Sequence, residues 1–257
     1  MSTDYALTNA WECAQRRLKG LEATYDPTTR RRLSSLGLAP GWACLEVGAG
    51  AGSIARWMGE QVGPTGYVSA VDLDISGLHH LPANVEVRQA DVRVDPLPEV
   101  AFDVVHARLL LNHLSERDEI VGRLVAALRP GGWLLLEEGD MFSSGVVDED
   151  PDHARAMRTL RDLLASAADV DYGRKLPRLA VSYGLTEVGV ECEVPFSEGG
   201  SLGTEWLALT FDQLAERAGG DILDPETVGR WKEKLTRPSL WFASLGVVAM
   251  RGRRPAA

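Results

Sequence analysis

Residues 45–53 are Leu45-Glu46-Val47-Gly48-Ala49-Gly50-Ala51-Gly52-Ser53, an apolar run with one acid that leads into three glycines at alternate positions. The pattern predicts a buried strand at 43–47 that turns sharply into a helix at 52–62. Glycine permits the positive φ of such a turn and lets a ligand approach the main chain closely. A helix N-terminus at such a turn attracts anions. We therefore expect a ligand-binding loop directly after the first strand.

Strand-length apolar runs and helical patterns alternate along the chain. Runs rich in Val, Leu or Ala predict further strands at 66–72, 84–88, 101–107 and 132–138. Between them the sequence predicts helices at 52–62, near 75–80 and at 115–128, the last introduced by a capping-box pattern at Ser115 and Asp118. The alternation predicts an α/β fold with a doubly wound, mostly parallel sheet covered by helices on both faces.

The two ends of the chain add further elements. Leu7, Trp11, Ala14, Leu18 and Leu21 form one apolar stripe, which predicts an amphipathic helix over 5–22, and Asp26-Pro27 predicts the start of a second helix. After residue 140 the patterns predict a helix from Asp150-Pro151, one near 175–183, a strand at 186–196, helices at 201–218 and 226–235, and a strand at 240–250.

Composition limits the possible functions. The net charge of −10 argues against a nucleic-acid partner, because phosphate binding needs clustered Lys and Arg. The one compact basic run, at 30–32, is interpreted as a solvated helix face. No apolar stretch is long enough to cross a membrane, and three scattered cysteines predict neither disulfides nor a metal site. We expect a cytoplasmic protein.

The glycine spacing separates two families of enzymes. Ser53 stands where G-x-G-x-x-G would place its third glycine or alanine, which disfavours a nicotinamide-dependent oxidoreductase. The run E-x-G-x-G-x-G from Glu46 to Gly52 instead resembles the first motif of class I S-adenosylmethionine-dependent methyltransferases. The segment 102–108 resembles the fourth strand of that family, and Leu128-Arg129-Pro130-Gly131-Gly132 resembles its turn into the fifth strand. The resemblance covers about residues 40–200.

This resemblance implies a Rossmann-like sheet of seven strands, with the last strand inserted antiparallel beside the fifth. It implies one methyltransferase domain over 1–257, with a cofactor-binding half at 38–140. The helical segments at 1–37, 141–174 and 199–238 fall where small-molecule methyltransferases carry lids over their substrates.

The resemblance also implies which residues hold S-adenosylmethionine. An acid about 20 residues past the glycine turn is placed to accept from ribose hydroxyls, which assigns Asp72. Asp91 matches the acid that accepts from the adenine amino group, with the next amide, that of Val92, reading a ring nitrogen. Arg17, on the first helix, is assigned to the cofactor carboxylate from its own chemistry, since the guanidinium fork matches a carboxylate. The full predicted set is Arg17, Glu46, Gly48, Ala49, Gly50, Gly52, Asp72, Leu73, Asp91, Val92, Ala107 and Arg108.

The implied reaction is methyl transfer to an oxygen, nitrogen or carbon atom of a small metabolite such as a natural-product intermediate. Alignment of the two reactants supplies most of the rate, so a general base is optional. His113, just beyond the fourth strand, is the candidate base, with a core histidine as the alternative. Glu138 and Asp140 could bind an amine substrate. A cyclase that keeps the cofactor on the same fold is the competing function. Expected partners are a small-molecule methyl acceptor and a second copy in a homodimer, with no nucleic acid and no membrane.

Overall fold

The computed structural model describes residues 7–8, 11–141, 149–220 and 222–256. Its helices are α1 (Ala14–Ser35), α2 (Ser53–Val62), α3 (Arg117–Ala127), α4 (Pro151–Ala165), α5 (Leu176–Ser182), α6 (Leu202–Arg217) and α7 (Pro225–Leu235). Its strands are β1 (Ala43–Val47), β2 (Tyr67–Asp72), β3 (Val85–Gln89), β4 (Phe102–Arg108), β5 (Leu128–Asp140), β6 (Thr186–Glu193), β7 (Phe196–Glu198), β8 (Trp241–Ala243) and β9 (Gly246–Arg253). Short 3₁₀ helices lie at Ile75–Gly77, Leu111–His113 and Tyr172–Lys175.

Seven strands form one sheet in the order β3-β2-β1-β4-β5-β9-β6. β1 pairs in parallel with β2 and with β4, and β4 pairs in parallel with β5. The last strand, β9, lies beside β5, as the resemblance implied. The predicted α/β class and the seven-stranded, mostly parallel sheet are confirmed. The carboxyl ends of β1, β2 and β4 meet at one edge, where open α/β sheets bind ligands.

The chain divides into two compact units. The sheet unit contains Asp26–Glu138, Tyr172–Cys192 and Val248–Ala257. The helical unit contains Met1–Tyr25, Gly139–Asp171 and Glu193–Val247, and so includes α4, α6, α7 and the antiparallel pair β7-β8. Most of the segments predicted to be lids therefore fall within the helical unit, whereas residues 26–37 and 172–174 belong to the sheet unit. Their function as lids stays a prediction.

Both faces of the central strands in the sheet unit are covered. Leu45, Val105 and Leu134 point to one face, where they pack in a buried cluster with α3 and α5. Their neighbours point to the other face, where Cys44 and Val104 pack with α2 and the second half of α1. Burial of both faces explains why these strands are continuous apolar runs rather than alternating ones.

The N-terminal prediction of two helices is wrong. α1 runs unbroken from Ala14 to Ser35, with Pro27 inside it, and Asp26 is an interior residue rather than an N-cap. Proline removes one backbone hydrogen bond and usually ends a helix. Here tertiary contacts outweigh that loss, since Asp26, Thr29 and Arg32 are buried and bonded to the sheet, as described below. Residues 1–6, 9 and 10, which include the start of the predicted 5–22 helix, lie outside the described residues.

Three other local predictions need correction. Ser115 does not cap α3: the N-cap is Glu116, without a side-chain bond to the helix, and the Ser115 hydroxyl donates to the Glu116 carboxylate. The strand predicted at 186–196 ends at Glu193, and β7 begins separately. The strand predicted at 240–250 is divided at Ser244 and Leu245 into β8 and β9, which belong to different sheets.

Within the described ranges, no helix combines the length and the apolar character needed to cross a bilayer.

Candidate functional site

The glycine loop joins β1 to α2. Gly48, Gly50 and Gly52 have φ angles of 75°, 57° and 84°, which is the left-handed region that side-chain-bearing residues rarely adopt. The amides of Gly48 and Ala49 donate to the carbonyl of Val71, which fixes the loop against the end of β2. Three alternate glycines are therefore required by the backbone, as the sequence predicted.

Asp72 holds the same loop from the end of β2. One carboxylate oxygen accepts from the amide of Gly50 at 2.8 Å, and the other accepts from the amide of Asp74 at 3.0 Å. Burial raises the pKa of Asp72, and the hydrogen bonds from the two amides oppose that rise. Each carboxylate oxygen can accept more than one hydrogen bond, so Asp72 keeps acceptor capacity for a hydroxyl group.

The absence of Cβ atoms lets neighbouring side chains pack directly against the loop. A Cβ on Gly48 would lie 3.1 Å from the Leu110 side chain, and one on Gly52 would lie 2.9 Å from the Leu78 side chain. Gly52 is also the N-cap of α2, and no side chain caps that helix. The first turn of α2 therefore begins at a bare main chain, which suits the polar part of a nucleoside cofactor.

The predicted adenine residues follow β3. The Asp91 carboxylate accepts from the Arg93 guanidinium, with the shortest contact 2.6 Å from Nη2, and also from the Arg93 amide at 3.0 Å. The hydrogen bond from Arg93 lowers the pKa of Asp91, so this acid is ionised and already engaged. Val92 is buried, whereas Leu73, after β2, is 52% exposed. The exposed Leu73 side chain can therefore pack against the aromatic ring of a ligand.

The end of β4 is held by a buried glutamate of β5. Both oxygens of Glu138 accept main-chain hydrogen bonds, from the amides of Leu110, Leu111 and Asn112 at 2.8–3.2 Å. Burial raises the pKa of Glu138 to about 7, against the effect of those amides. Glu138 therefore shapes the segment after β4 rather than presenting a free carboxylate to an amine. The segment is strained, since Leu109 has a φ of 51°.

His113 closes the 3₁₀ helix that Glu138 fixes. Its amide donates to the carbonyl of Leu110 at 3.1 Å, and its side chain is half-buried. The neighbouring Asn112 is buried, and among the residues that the structure describes its Oδ1 has no hydrogen-bond partner. The sequence placed His113 just beyond the fourth strand, where the structure has it. Its role as a base stays a prediction.

A buried ion network lies under this edge of the sheet. Cys44, Val104 and Leu135 lie on the apolar face of β1, β4 and β5. Two positions further along each strand, the same face carries Glu46, His106 and Glu137. His106 Nδ1 lies 2.6 Å from Glu46 and its Nε2 lies 3.1 Å from Glu137. The ion network consists of Asp26, Thr29, Arg32, Glu46, His106, Arg108 and Glu137.

Helix α1 supplies the other half of the ion network. Arg32 donates to Glu137 at 2.5 Å, and Thr29 donates to the same carboxylate at 2.5 Å. Arg108 donates to Thr29 at 2.8 Å and to Asp26 at 2.9 Å. These bonds explain why α1 continues through its proline.

The protonation states of the ion network follow from its neighbours. Burial alone would lower the pKa of His106, but the charge and hydrogen bonds of Glu46 and Glu137 outweigh it and raise the value to about 9. Burial likewise opposes ionisation of Glu137, yet the hydrogen bond and charge of His106 and the two arginines lower its pKa to about 2. Burial raises the pKa of Glu46 despite the charge of His106. With His106 protonated, three cations face three carboxylates.

The ion network changes the interpretation of several predicted residues. The Glu46 carboxylate binds His106, and the Arg108 side chain binds Thr29 and Asp26. Arg108 can therefore contact a cofactor through its main chain, as Ala107 can. Sequence reasoning missed Asp26, Thr29 and Arg32, and the run at 30–32 is not wholly solvated because Arg32 is 5% exposed. A helical spacing of polar residues at 26, 29 and 32 was the available signal.

Arg17 belongs to the helical unit. It is buried on α1, and its Nη2 donates to the carbonyl of Leu7 at 3.1 Å. The other predicted cofactor residues belong to the sheet unit. The assignment of Arg17 to the cofactor carboxylate stays a prediction.

Comparison with known proteins gives this site a family. A methyltransferase-domain family matches residues 45–136. The chain is 31% identical to methyltransferase str3 of Strobilurus tenacellus over 241 residues, which is 88% of this chain and 83% of that protein. It is 36% identical to methyltransferase str2 of the same organism over 157 residues, 59% of this chain and 56% of that protein. This chain thus spans little more than half of str2.

A solved structure agrees with the fold. A putative methyltransferase from Bacillus halodurans C-125 superposes with a TM-score of 0.57 at 18% identity, covering 88% of this chain and 98% of that one. Since the identity is low, this likeness supports the architecture alone. The named relatives favour methyl transfer over the cyclase alternative.

Proposed function

We propose a role for each residue of the site, starting from the family of this chain. It belongs to the class I S-adenosylmethionine-dependent methyltransferases. It is an enzyme that methylates small molecules. Our proposal is that S-adenosylmethionine binds at the glycine loop of the sheet unit and that the acceptor is a small metabolite. When bound, the cofactor supplies an electrophilic methyl group on a sulfonium.

Different residues recognise different parts of the cofactor in this proposal. The main chain at 48–52 and the first turn of α2 lie along its polar backbone, Asp72 accepts from the ribose hydroxyls, and Leu73 packs on the base. Asp91 and the Val92 amide read the adenine edge, and the Arg93 guanidinium keeps the Asp91 carboxylate in place. Ala107 and Arg108 line the site at the end of β4 through their main chain.

The observation that carries the proposal is the bond between Gly50 and Asp72. Gly50 has a left-handed φ, and its amide donates to the Asp72 carboxylate at the end of β2 at 2.8 Å. The glycine loop and the acid proposed to bind the ribose are therefore already held together in the structure. A preformed site of this kind binds without paying the entropy of ordering a loop.

Methyl transfer to an oxygen or nitrogen atom also requires that the acceptor lose a proton. We assign it to His113, because Glu138 fixes the segment that carries this ring through three main-chain hydrogen bonds. A neutral imidazole at this position removes the proton from an oxygen or nitrogen nucleophile as the methyl group transfers. The rest of the rate comes from alignment and exclusion of water.

Calorimetric titration with S-adenosylhomocysteine tests the cofactor site. We expect binding to the wild type, and a loss of about 1.5–3 kcal/mol in Asp72→Ala, the range for a hydrogen bond to a charged group. Gly50→Val should abolish binding, because valine cannot hold the left-handed φ of 57° without strain.

Asp74→Ala is the matched control. Asp74 lies two residues beyond Asp72 and its carboxylate caps the amide of Ser76, so its removal should leave affinity unchanged. If a folded Asp72→Ala variant binds like the wild type, Asp72 is not in the site. If Gly50→Val binds normally, the glycine loop does not hold the cofactor.

A further inference from the structure

Asp26 connects the glycine loop to helix α1. Its Oδ1 accepts from the Ser53 hydroxyl at 3.1 Å and from the Arg108 guanidinium at 2.9 Å. Its Oδ2 accepts from the guanidinium of Arg30, four positions further along α1, at 3.0 Å. Asp26 is buried, and all four residues belong to the sheet unit. One buried carboxylate therefore joins three elements of that unit, which are α1, the start of α2 and the end of β4.

The Ser53 contact explains a feature of the sequence. Ser53 is the first residue of α2 and directly follows the last glycine of the loop. It stands where a dinucleotide-binding fingerprint would place a glycine or an alanine. Neither of those residues has a side-chain donor, so neither could form the hydrogen bond that Ser53 makes with Asp26. The serine at this position therefore ties the glycine loop to α1.

The first turn of α2 lacks the usual side-chain cap. An N-cap residue commonly has extended backbone and a side-chain oxygen that accepts from the second or third amide of the helix. Gly52 has a left-handed φ of 84° and no side chain, and among the described residues no side chain caps α2. The first amides of a helix have no partner within it, so their direction depends on how the turn is held. The hydrogen bond from Ser53 to Asp26 holds this turn from outside the helix.

The same carboxylate also fixes the end of β4. Arg108 is the last residue of β4, and the strained segment that carries His113 follows it. Arg108 also donates to Thr29 at 2.8 Å, so its side chain is bonded twice to α1. The side chains of Arg108 and Asp26 are each 8% exposed, so solvent ions screen this pair little. Loss of Asp26 would therefore release the start of α2 and the end of β4 together.

We infer that Asp26 is a positioning residue for the cofactor, acting through Ser53 on the first turn of α2 and through Arg108 on the end of β4. Both of these segments bind the cofactor in the proposed function, on which this inference rests. It adds the second half of α1 to the elements that shape the site. Because the bonds exist before the cofactor arrives, their loss should weaken cofactor binding and not only lower stability.

Ser53→Ala is the central variant, because it removes the donor to Asp26 and leaves both ion pairs of Asp26 intact. Full-length protein is titrated calorimetrically with S-adenosylhomocysteine, and we expect about 2- to 10-fold weaker binding to Ser53→Ala. Ser53→Thr keeps the hydroxyl and should bind like the wild type. Ser35→Ala is the matched control and should also bind like the wild type, because the Ser35 hydroxyl donates within α1, to the carbonyl of Arg32 at 2.6 Å.

Hydrogen exchange in the ligand-free protein separates positioning from direct contact with the cofactor. If Ser53 holds the turn, the amides of residues 50–56 should exchange faster in Ser53→Ala and at the wild-type rate in Ser53→Thr and Ser35→Ala. A hydroxyl that only contacted the cofactor would leave this exchange unchanged. Urea unfolding of the same preparations shows that each variant is folded under the conditions of the titration.

A double-mutant cycle assigns the effect to Asp26. Asp26→Ala should weaken binding at least as much as Ser53→Ala, because it also releases Arg108. In the Asp26→Ala background, Ser53→Ala should have no further effect on affinity, since the bond that it removes is already absent. If Asp26→Ala does not fold, the hydrogen-exchange comparison on Ser53→Ala decides alone.

Four results would each overturn the inference. They are wild-type affinity in Ser53→Ala, no rescue by Ser53→Thr, unchanged exchange of residues 50–56, and an undiminished effect of Ser53→Ala in the Asp26→Ala background. Failure of the wild type to bind S-adenosylhomocysteine would instead contradict the proposed function, so the two can fail separately.

Discussion

The ion network of the sheet unit and a set of three residues on α6 of the helical unit, Trp206, Thr210 and Gln213, are both buried and polar, but they differ in how well their atoms are paired. In the ion network each charged group contacts an opposite charge, as Arg32 contacts Glu137 and Arg108 contacts Asp26. In the α6 set, Trp206 Nε1, Thr210 Oγ1 and Gln213 Oε1 have no partner among the described residues. The paired groups hold elements of the sheet unit together, whereas the unpaired atoms of α6 contribute no such bond.

The ion network also shows why charged residues occur in the centre of a sheet. Burial of an isolated ion is unfavourable, and mutual pairing offsets that penalty only if geometry and further hydrogen bonds are good. Thr29 supplies such a bond, since its hydroxyl donates to Glu137 and accepts from Arg108. The result is a rigid connection between α1 and the strand ends that carry the glycine loop.

The largest expected effect concerns a residue outside both regions, His113. If His113 removes the acceptor's proton and has no structural role, His113→Ala should lower turnover by roughly 10²–10⁴, the range for a general base. Cofactor affinity and stability should change little. Turnover and the unfolding midpoint are measured on the same preparations. The exposed His79, changed to alanine, is the control and should leave both unchanged.

The opposite result would place His113 among the structural residues. A His113→Ala variant with normal turnover and a lower unfolding midpoint would make His113 a structural residue like those of the ion network, and methyl transfer would then rest on alignment alone.

The next effect is on stability. Glu137→Gln removes the charge that Arg32 and His106 share, and should lower the free energy of unfolding by about 3–5 kcal/mol, because it leaves buried cations without their counter-ion. Glu191→Gln is the control: Glu191 also binds Arg32, at 3.2 Å, but its side chain is 54% exposed, so the loss should stay below about 1 kcal/mol. Equal losses in urea unfolding would show that burial does not distinguish the two contacts.

Local pattern was enough to predict the first four strands, whereas the place of the last strand beside the fifth was implied by the family resemblance. The strands β1 to β4 lie within one residue of the predicted ranges, because each is a short apolar run bounded by turn residues. The three left-handed glycines were also predictable, since their spacing is a property of the backbone. The position of Asp72 at the end of the second strand was predictable for the same reason, and its role toward the cofactor stays a prediction.

Contacts between distant residues could not be predicted in this way. Arg32 and Glu137 are separated by 105 positions, so the spacing of residues 26, 29 and 32 could indicate a shared helix face but not that this face would be buried against the sheet. The break at Ser244 and Leu245 was hidden for the same reason, because apolar continuity does not show that β8 pairs with β7. The unpaired atoms of Trp206, Thr210 and Gln213 likewise show only in three dimensions.

The smallest effect is a dependence of stability on pH that arises from His106. Its pKa is raised from the usual 6.5 to about 9 in the folded protein, so the folded state binds more protons than the unfolded state between these values. The stabilisation is therefore complete below about pH 6.5 and is lost as the pH rises through 9. We expect the free energy of unfolding to fall between pH 7 and pH 10 by on the order of 1–3 kcal/mol. The same titration in His106→Gln should be nearly flat over this interval apart from groups common to both proteins, and His79→Gln should follow the wild type. Parallel curves for wild type and His106→Gln would mean that His106 is neutral when folded, and the ion network would then carry an excess negative charge rather than three balanced pairs.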